Sequence, residues 1–277
     1  MIKMLKLVCC IKQVPMVSEL PWDPKTGTLK RALVDGMINP ACRHALEAAL
    51  ILKNAHPAEI TVITMGPAIA EEVLREAMAM GADHGILIND SRIAGADTLV
   101  TSKILADTIK TACPDFDLVL CGCHTSDSET AQVGPQITEE LNIPGIAYVD
   151  QLELNSQSLR IQRLSDGFTE TLDMTLPGLV TVTTQQNAPR YIPMSGLEDA
   201  FSETDITCLN LNDIGLGHEL TGSNNSPTRI LRVFSPVTDK ENTVMRGSAS
   251  KIVQQLFDQF EDKIGGAIGK DIKEHQS

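Results

Sequence analysis

Short β-branched runs alternate with helically patterned stretches over residues 1 to about 145, and no other feature limits the fold as much. The runs read LKLVCCI, EITVITM, HGILI and FDLVLCG. Strands separated by helices predict a parallel sheet with crossover connections. The first helix is predicted from Asn39-Pro40, where Asn39 is placed to cap and Pro40 suits the opening turn, through ACRHALEAALILKNA. The second, AIAEEVLREAMAM, closes at Gly81 as a left-handed cap, and the third, ADTLVTSKILADTIKTA, starts near Asp97. With only Trp22, Tyr148, Tyr191 and six Phe, the interior must be built from Val, Ile, Leu, Met and Ala.

From about 146 to 185 the pattern shortens to YVDQLELN, SLRIQRLSD, FTETLDMTL and LVTVTTQ, separated by turn residues. These stretches predict an antiparallel extension at the edge of the parallel sheet. Between Tyr191 and Thr228 there is no Lys or Arg, while Glu198, Asp199, Glu203, Asp205, Asp213 and Glu219 accumulate. Such a stretch buries little apolar surface alone and reads as an arm lying on its own domain or on a partner. The last helix, ASKIVQQLFDQFEDKI, carries Ile252, Leu256, Phe257 and Phe260 on one face, ahead of a polar tail expected to fray. At 277 residues the chain exceeds one usual compact domain. The expected division is residues 1–190 as the α/β domain and 191–277 as a C-terminal arm and helix that contact partner proteins.

The formal charge of −13 disfavours nucleic acid and anionic membrane as partners, and the few aromatics supply no platform for stacking bases. No apolar stretch reaches the length of a membrane span, and Lys12 interrupts the short apolar start. Seven cysteines in no framework spacing read as reduced thiols, several of them in apolar runs, rather than as a metal site. A reducing, cytoplasmic setting is expected.

The stretch SDSETAQVGPQITEELNIP, residues 126–144, follows the apolar run DLVLCG and leads into a helix. It therefore occupies the carboxyl end of a strand, where open α/β sheets bind ligands. A helix opening offers unpaired N–H donors, and Thr125, Ser126, Ser128 and Thr130 add hydroxyls. Gly134 is read as permitting close approach of backbone to ligand, and Pro135 as giving up a donor the first turn cannot use. Asp127 and Glu129 would repel a phosphate and are assigned to ribose hydroxyls or solvent. The plain alternative is an ordinary Ser/Thr-rich helix start. The chain has no phosphate loop of the G-x-x-x-x-G-K-[ST] type and no G-x-G-x-x-G after the first strand. The excursion KQVPMVSELPWDPKTG that follows this strand, with its prolines, suits covering a site rather than wrapping a pyrophosphate.

In order along the chain, CIKQVP, INPACRHALEAALILK, VITMGPA, LREAMAMGAD, DLVLCG, ETAQVGPQITEELNIP, LPGLVTVT, NAPRYIP and GSNNSPTRILRVFSP resemble the beta subunit of electron transfer flavoproteins. The resemblance implies a doubly wound parallel sheet with a protruding C-terminal arm, in a heterodimer with an alpha subunit that carries the redox FAD. It implies an adenine nucleotide held by Cys10, Asn39, Pro40, Ala41, Cys42 and Met65. The loop contributes Thr125, Ser126, Asp127, Ser128, Glu129, Thr130, Ala131, Gln132, Val133, Gly134, Pro135 and Gln136. Neither a catalytic side chain nor a metal ligand is implied, since the flavin does the bond chemistry.

Two nucleotides are found at this position of the family. In members serving fatty-acid oxidation it is AMP, a structural filler; in electron-bifurcating members it is a second FAD, reducible by NADH. KQVP, TAQVGP and SPT resemble the second group, and the basic run usual after PRY in the first group reads IPMSGLEDAFSETD here. Against both, Ser128 replaces a glycine, and His124-Thr125-Ser126 replaces Gln-Ala-Ile. His124 has two readings, flavin neighbour or structural hydrogen-bonding residue. Met194 aligns with the apolar anchor that family members insert into an acyl-CoA dehydrogenase. The rival classes fit less well: an ATP-cleaving hydrolase of the related superfamily needs S-G-G-x-D-S where this chain reads KQVPMV, and nucleotide-binding stress proteins are much shorter.

Overall fold

The computed structural model describes residues 4–16, 35–155, 158–202, 205–217, 222–228 and 243–274. Residues 17–34, which include most of the proline-bearing excursion, lie outside the described residues, as do Glu203, Glu219, the RILRVFSP part of the closing motif and the last residues of the tail. The chain divides into two compact units, 1–233 and 234–277.

Unit one is the predicted doubly wound α/β fold. Its elements in chain order are β1 (Leu5–Cys10), β2 (Gln13–Pro15), β3 (Gly36–Ile38), α1 (Pro40–Ala55), β4 (Ala58–Met65), α2 (Glu71–Met80), β5 (His84–Ile88), α3 (Thr98–Ala112), β6 (Leu118–Gly122) and α4 (Val133–Leu141). They continue with β7 (Gly145–Asn155), β8 (Ser158–Ser165), β9 (Phe168–Thr175), β10 (Gly178–Val182), α5 (Met194–Ser202), β11 (Ile206–Leu209) and α6 (Gly222–Asn225). The main sheet runs β11-β5-β4-β1-β6-β10-β7-β8-β9, parallel from β11 through β7 and antiparallel beyond. One buried cluster joins the sheet to α1, α2 and α5 through residues such as Leu46, Leu50, Leu74 and Ala200. A second, around Ile104, Ile109 and Ile137, joins the opposite face to α3 and α4.

One expectation needs correction. LVTVTTQ was assigned to the antiparallel extension, yet β10 lies parallel between β6 and β7. All of its residues are buried, which is what a central parallel strand demands and what an edge hairpin does not. The switch in direction occurs instead within β7, whose first half pairs parallel with β10 and whose second half pairs antiparallel with β8. Tyr148 turns there through a φ of 59°, and the register slips on both neighbours, the mark of a bulge that bends the strand.

The arm expected from Tyr191 rests on its own domain over much of its described length. α5 packs on α2 so closely that a Cβ at Gly196 would stand 2.4 Å from the Ala79 carbonyl oxygen. β11 extends the sheet beside β5, and Leu211 and Ile214 enter the α3 core. Low apolar content hid these insertions, because a few well-placed residues suffice when the chain lies on an existing surface.

In unit two, α7 (Ala249–Glu274) extends the predicted helix and bends at Phe260, which has a φ of −126°. Val253, Leu256 and Phe257 stand exposed on it.

α3 starts near Asp97 as expected, and Asp97 caps it, accepting from the Val100 N–H at 3.1 Å, while its other oxygen accepts from the Thr228 N–H at 3.0 Å. Burial opposes its ionisation, but these backbone bonds outweigh burial and pull the carboxyl below its ordinary value of 3.8. A depressed folded value means that the stabilisation is present above about pH 4 and is lost as pH falls through the folded value. Asp97→Asn retains a capping oxygen without the charge; chemical denaturation across pH 3 to 6 is expected to show a flatter acid limb for this variant.

Candidate functional site

The carboxyl ends of β1, β4 and β6, with the start of α1 and the loop before α4, form one edge. Gly122 ends β6 against α1: a Cβ there would lie 2.6 Å from the Cys42 nitrogen and 2.7 Å from the Ala41 carbonyl carbon. Only glycine lets the strand approach that peptide. Asn39 then bridges the gap. It is 1 % exposed, its Oδ1 accepts from the Ser126 N–H at 3.0 Å, and its Nδ2 donates to the His124 carbonyl at 2.8 Å. The same Nδ2 reaches the Cys42 sulfur at 3.3 Å. The expected cap on α1 is therefore absent, because the amide is committed to the loop across the crevice.

Within the loop, Thr125 and Ser128 pair through their hydroxyls at 2.9 Å, and the Glu129 N–H donates to the Thr125 carbonyl at 2.8 Å. Asp127 is tied to the end of β1. Its carboxylate receives Lys12 Nζ at 2.8 and 2.7 Å and the Ser128 hydroxyl at 3.3 Å. Burial raises its pKa, but Lys12 and the hydroxyls bring it below the ordinary value.

Glu129 and Ala131 adopt φ of 49° and 56°, in the left-handed region on either side of Thr130. Left-handed residues alternating with right-handed ones can turn successive N–H groups toward one side, the arrangement of backbone anion-binding concavities. Among the described residues, none accepts from the backbone N–H groups of Thr130, Ala131, Gln132, Val133 and Gly134. This row runs into the opening turn of α4, whose own geometry leaves such donors unpaired. The hydroxyls counted from sequence are thus partly engaged with one another, and the available donors are backbone.

The other expected residues divide by what they present. Cys10, Ala41 and Cys42 are buried, so they offer backbone rather than side chain to the edge. Pro40 is exposed at the first turn of α1, and Met65 ends β4 half-buried. Gly134 is buried against β10, where a Cβ would stand 2.4 Å from Thr181 Cγ2, so its lack of a side chain serves α4–β10 packing. The Pro135 carbonyl accepts from Thr138 Oγ1 at 2.5 Å, and Gln136 Oε1 accepts from Ser102 at 3.0 Å. Gln132 Oε1 accepts from Thr98 at 2.8 Å, which fixes the start of α4 against α3. His124 meets the Cys123 sulfur through Nδ1 at 3.0 Å. Met194 is remote from this edge, at the start of α5 over α2.

Burial pushes the thiols of Cys9 and Cys42 up, and a hydrogen bond with Cys10 followed by burial does the same for Cys121. These thiols stay protonated near neutral pH and are poor nucleophiles.

Lys12 and Gly122 were not singled out from sequence as site residues. A glycine ending a buried strand was the available signal for close backbone approach. The Lys12 partner, far along the chain, left none.

An open, mostly parallel sheet whose carboxyl edge carries a donor-rich loop defines the class of α/β proteins that bind ligands at a topological switch point. Residues 26–205 match the electron transfer flavoprotein domain. The caffeyl-CoA reductase-Etf complex subunit CarD of Acetobacterium woodii is 40 % identical over 262 residues, covering 94 % of this chain and 99 % of that protein. The electron transfer flavoprotein subunit beta of Thermoanaerobacterium thermosaccharolyticum is 36 % identical over 260 residues, covering 94 % and 99 %. The acryloyl-CoA reductase electron transfer subunit gamma of Anaerotignum propionicum is 34 % identical over 272 residues, covering 94 % and 99 %. The chain belongs to the electron transfer flavoprotein family and is an electron-transfer subunit of the beta type. Among the described residues, no helix is long and apolar enough to cross a membrane.

Lys12 neutralises the carboxylate of Asp127 in the loop. Lys12→Met is expected to weaken retention of an anionic nucleotide by about tenfold, in line with an uncompensated charge. Lys12→Met combined with Asp127→Asn should recover much of the loss, because the offending charge is then gone. Equilibrium dialysis of nucleotide-stripped protein against AMP and FAD measures both.

Proposed function

We propose that this subunit, paired with an alpha subunit that carries FAD, holds an adenine nucleotide in the crevice between β1, α1 and the β6–α4 loop. The nucleotide is FAD, and the heterodimer relays electrons between NADH, or an acyl-CoA dehydrogenase, and the alpha-subunit flavin. The observation that carries this reading is the row of open N–H groups from Thr130 to Gly134, set by the left-handed turns at Glu129 and Ala131. Such a row suits a diphosphate and needs no cationic side chain. Asn39 and Lys12 fix the loop, and the half-buried Met65 would flank the base.

When bound, the flavin supplies hydride and single-electron chemistry, and the protein sets its position and surroundings. With FAD in this crevice, electron bifurcation is the expected activity. The likeness of the KQVP and TAQVGP motifs to bifurcating members supports FAD. One observation favours a second reading. Ser128 occupies the loop with a side chain bonded to Thr125 and Asp127, which narrows the room and suits the smaller AMP. On that reading the subunit is a scaffold.

Exposed Met194, at the start of the acidic stretch, is the anchor we assign to the flavoenzyme partner. An acidic surface favours a partner with a basic rim. The free thiols fit a reducing cytoplasm.

Heat release of nucleotides from the purified native heterodimer, followed by chromatography, separates the readings. A second FAD beside that of the alpha subunit is expected. FAD accompanied by AMP would assign the scaffold role and remove bifurcation, and release of no nucleotide from this subunit would overturn both.

A further inference from the structure

Glu47 lies on the second turn of α1, is 5 % exposed, and takes no part in the crevice. Its carboxylate receives the Arg190 guanidinium in a two-pronged pair, Nε at 2.9 Å and Nη2 at 3.0 Å, and also the Arg190 backbone N–H at 3.0 Å. Earlier on the same helix, the His44 carbonyl accepts from Asn187 Nδ2 at 2.9 Å, and His44 Nδ1 meets Asn187 Oδ1 at 3.0 Å. Two residues of α1 three apart thus grip two residues of the following segment three apart.

Beyond that grip the chain alternates sharply. Tyr191 is 96 % exposed, Ile192 packs against the α1–α2 core, and Met194 is 81 % exposed where α5 begins. Two large apolar side chains therefore face outward on a backbone fastened from behind. Two such side chains close together, on a backbone held by a forked, charge-assisted pair, mark a contact surface.

We propose that Glu47 and Arg190, with His44 and Asn187, are positioning residues that hold Tyr191 and Met194 in place as a paired apolar anchor for the flavoenzyme partner. The proposal rests on the docking role assigned to Met194 above. Glu198 and Asp199 stand exposed on α5 just after Met194, with no Lys or Arg from 191 to 202, which favours as occupant a protein with an apolar pocket inside a basic rim. Fastening the segment beforehand removes the ordering cost from the docking step, so the pair acts on encounter affinity rather than on electron transfer within the heterodimer.

The test uses the nucleotide-loaded heterodimer and an acyl-CoA dehydrogenase chosen because the unaltered heterodimer exchanges electrons with it. Glu47→Leu combined with Arg190→Met replaces the pair, of which Glu47 is buried and Arg190 half-buried, by apolar groups of similar size, so that no charge is left buried without a partner. The expected result is a KM for the dehydrogenase raised about tenfold, with kcat and nucleotide content unchanged. Amide exchange in residues 188–196 is expected to quicken while that of α1 does not. Arg190→Lys keeps the charge but loses the fork; it should move both readouts in the same direction by less, and it decides the matter if the paired variant does not fold. An unchanged KM in a folded variant overturns the proposal. Tyr191→Ala and Met194→Ala separate the two layers. If they raise KM and the pair variants do not, the positioning role alone fails; if neither alanine variant raises KM, the docking role falls and the proposal with it.

Discussion

The side-chain amide of Asn39 joins two ends of chain that would otherwise be independent. One is the start of α1 and the other is the loop leaving β6, and the amide satisfies a donor and an acceptor of that loop while buried almost completely. A buried amide with both ends engaged tolerates little displacement, because either partner left alone carries a desolvation penalty of about 1–3 kcal/mol. Gly122 makes the junction possible by letting β6 touch the α1 backbone. From that fixed point the chain runs through the Thr125–Ser128 turn to the left-handed residues Glu129 and Ala131, and the open N–H row follows. Lys12, leaving β1, secures the outer side of the same loop through Asp127.

α1 serves both ends of the functional surface. Its first turn borders the crevice and its second turn fastens the segment that presents Tyr191 and Met194. The helix itself is buried along one side in the core with β1, β4 and β6, so neither feature can drift relative to the sheet. On the proposed function, this common support would hold cofactor and partner at a reproducible separation.

The parallel half of the sheet was legible because local signals agreed with the global fold. β5 matches HGILI residue for residue, Asp97 caps α3, and Gly81 closes α2 with a φ of 123°. β10 was misassigned because a short buried run has no periodicity to distinguish its neighbours, and its central place depends on pairing with β6 far away in sequence. The crevice could be located from strand ends, but its donors could not be chosen. Sequence shows hydroxyls, whereas only the φ angles of Glu129 and Ala131 reveal the N–H row. Asn39 and Gly134 carried familiar local meanings, cap and flexible glycine, that tertiary contacts overrode.

Hydrogen exchange at single-amide resolution on the native heterodimer, stripped of nucleotide and then reloaded with FAD or AMP, addresses the N–H row directly. Selective slowing at Thr130, Ala131, Gln132, Val133 and Gly134 on reloading is the predicted outcome. Unchanged exchange across those amides, with protection appearing elsewhere on the subunit, would contradict the account.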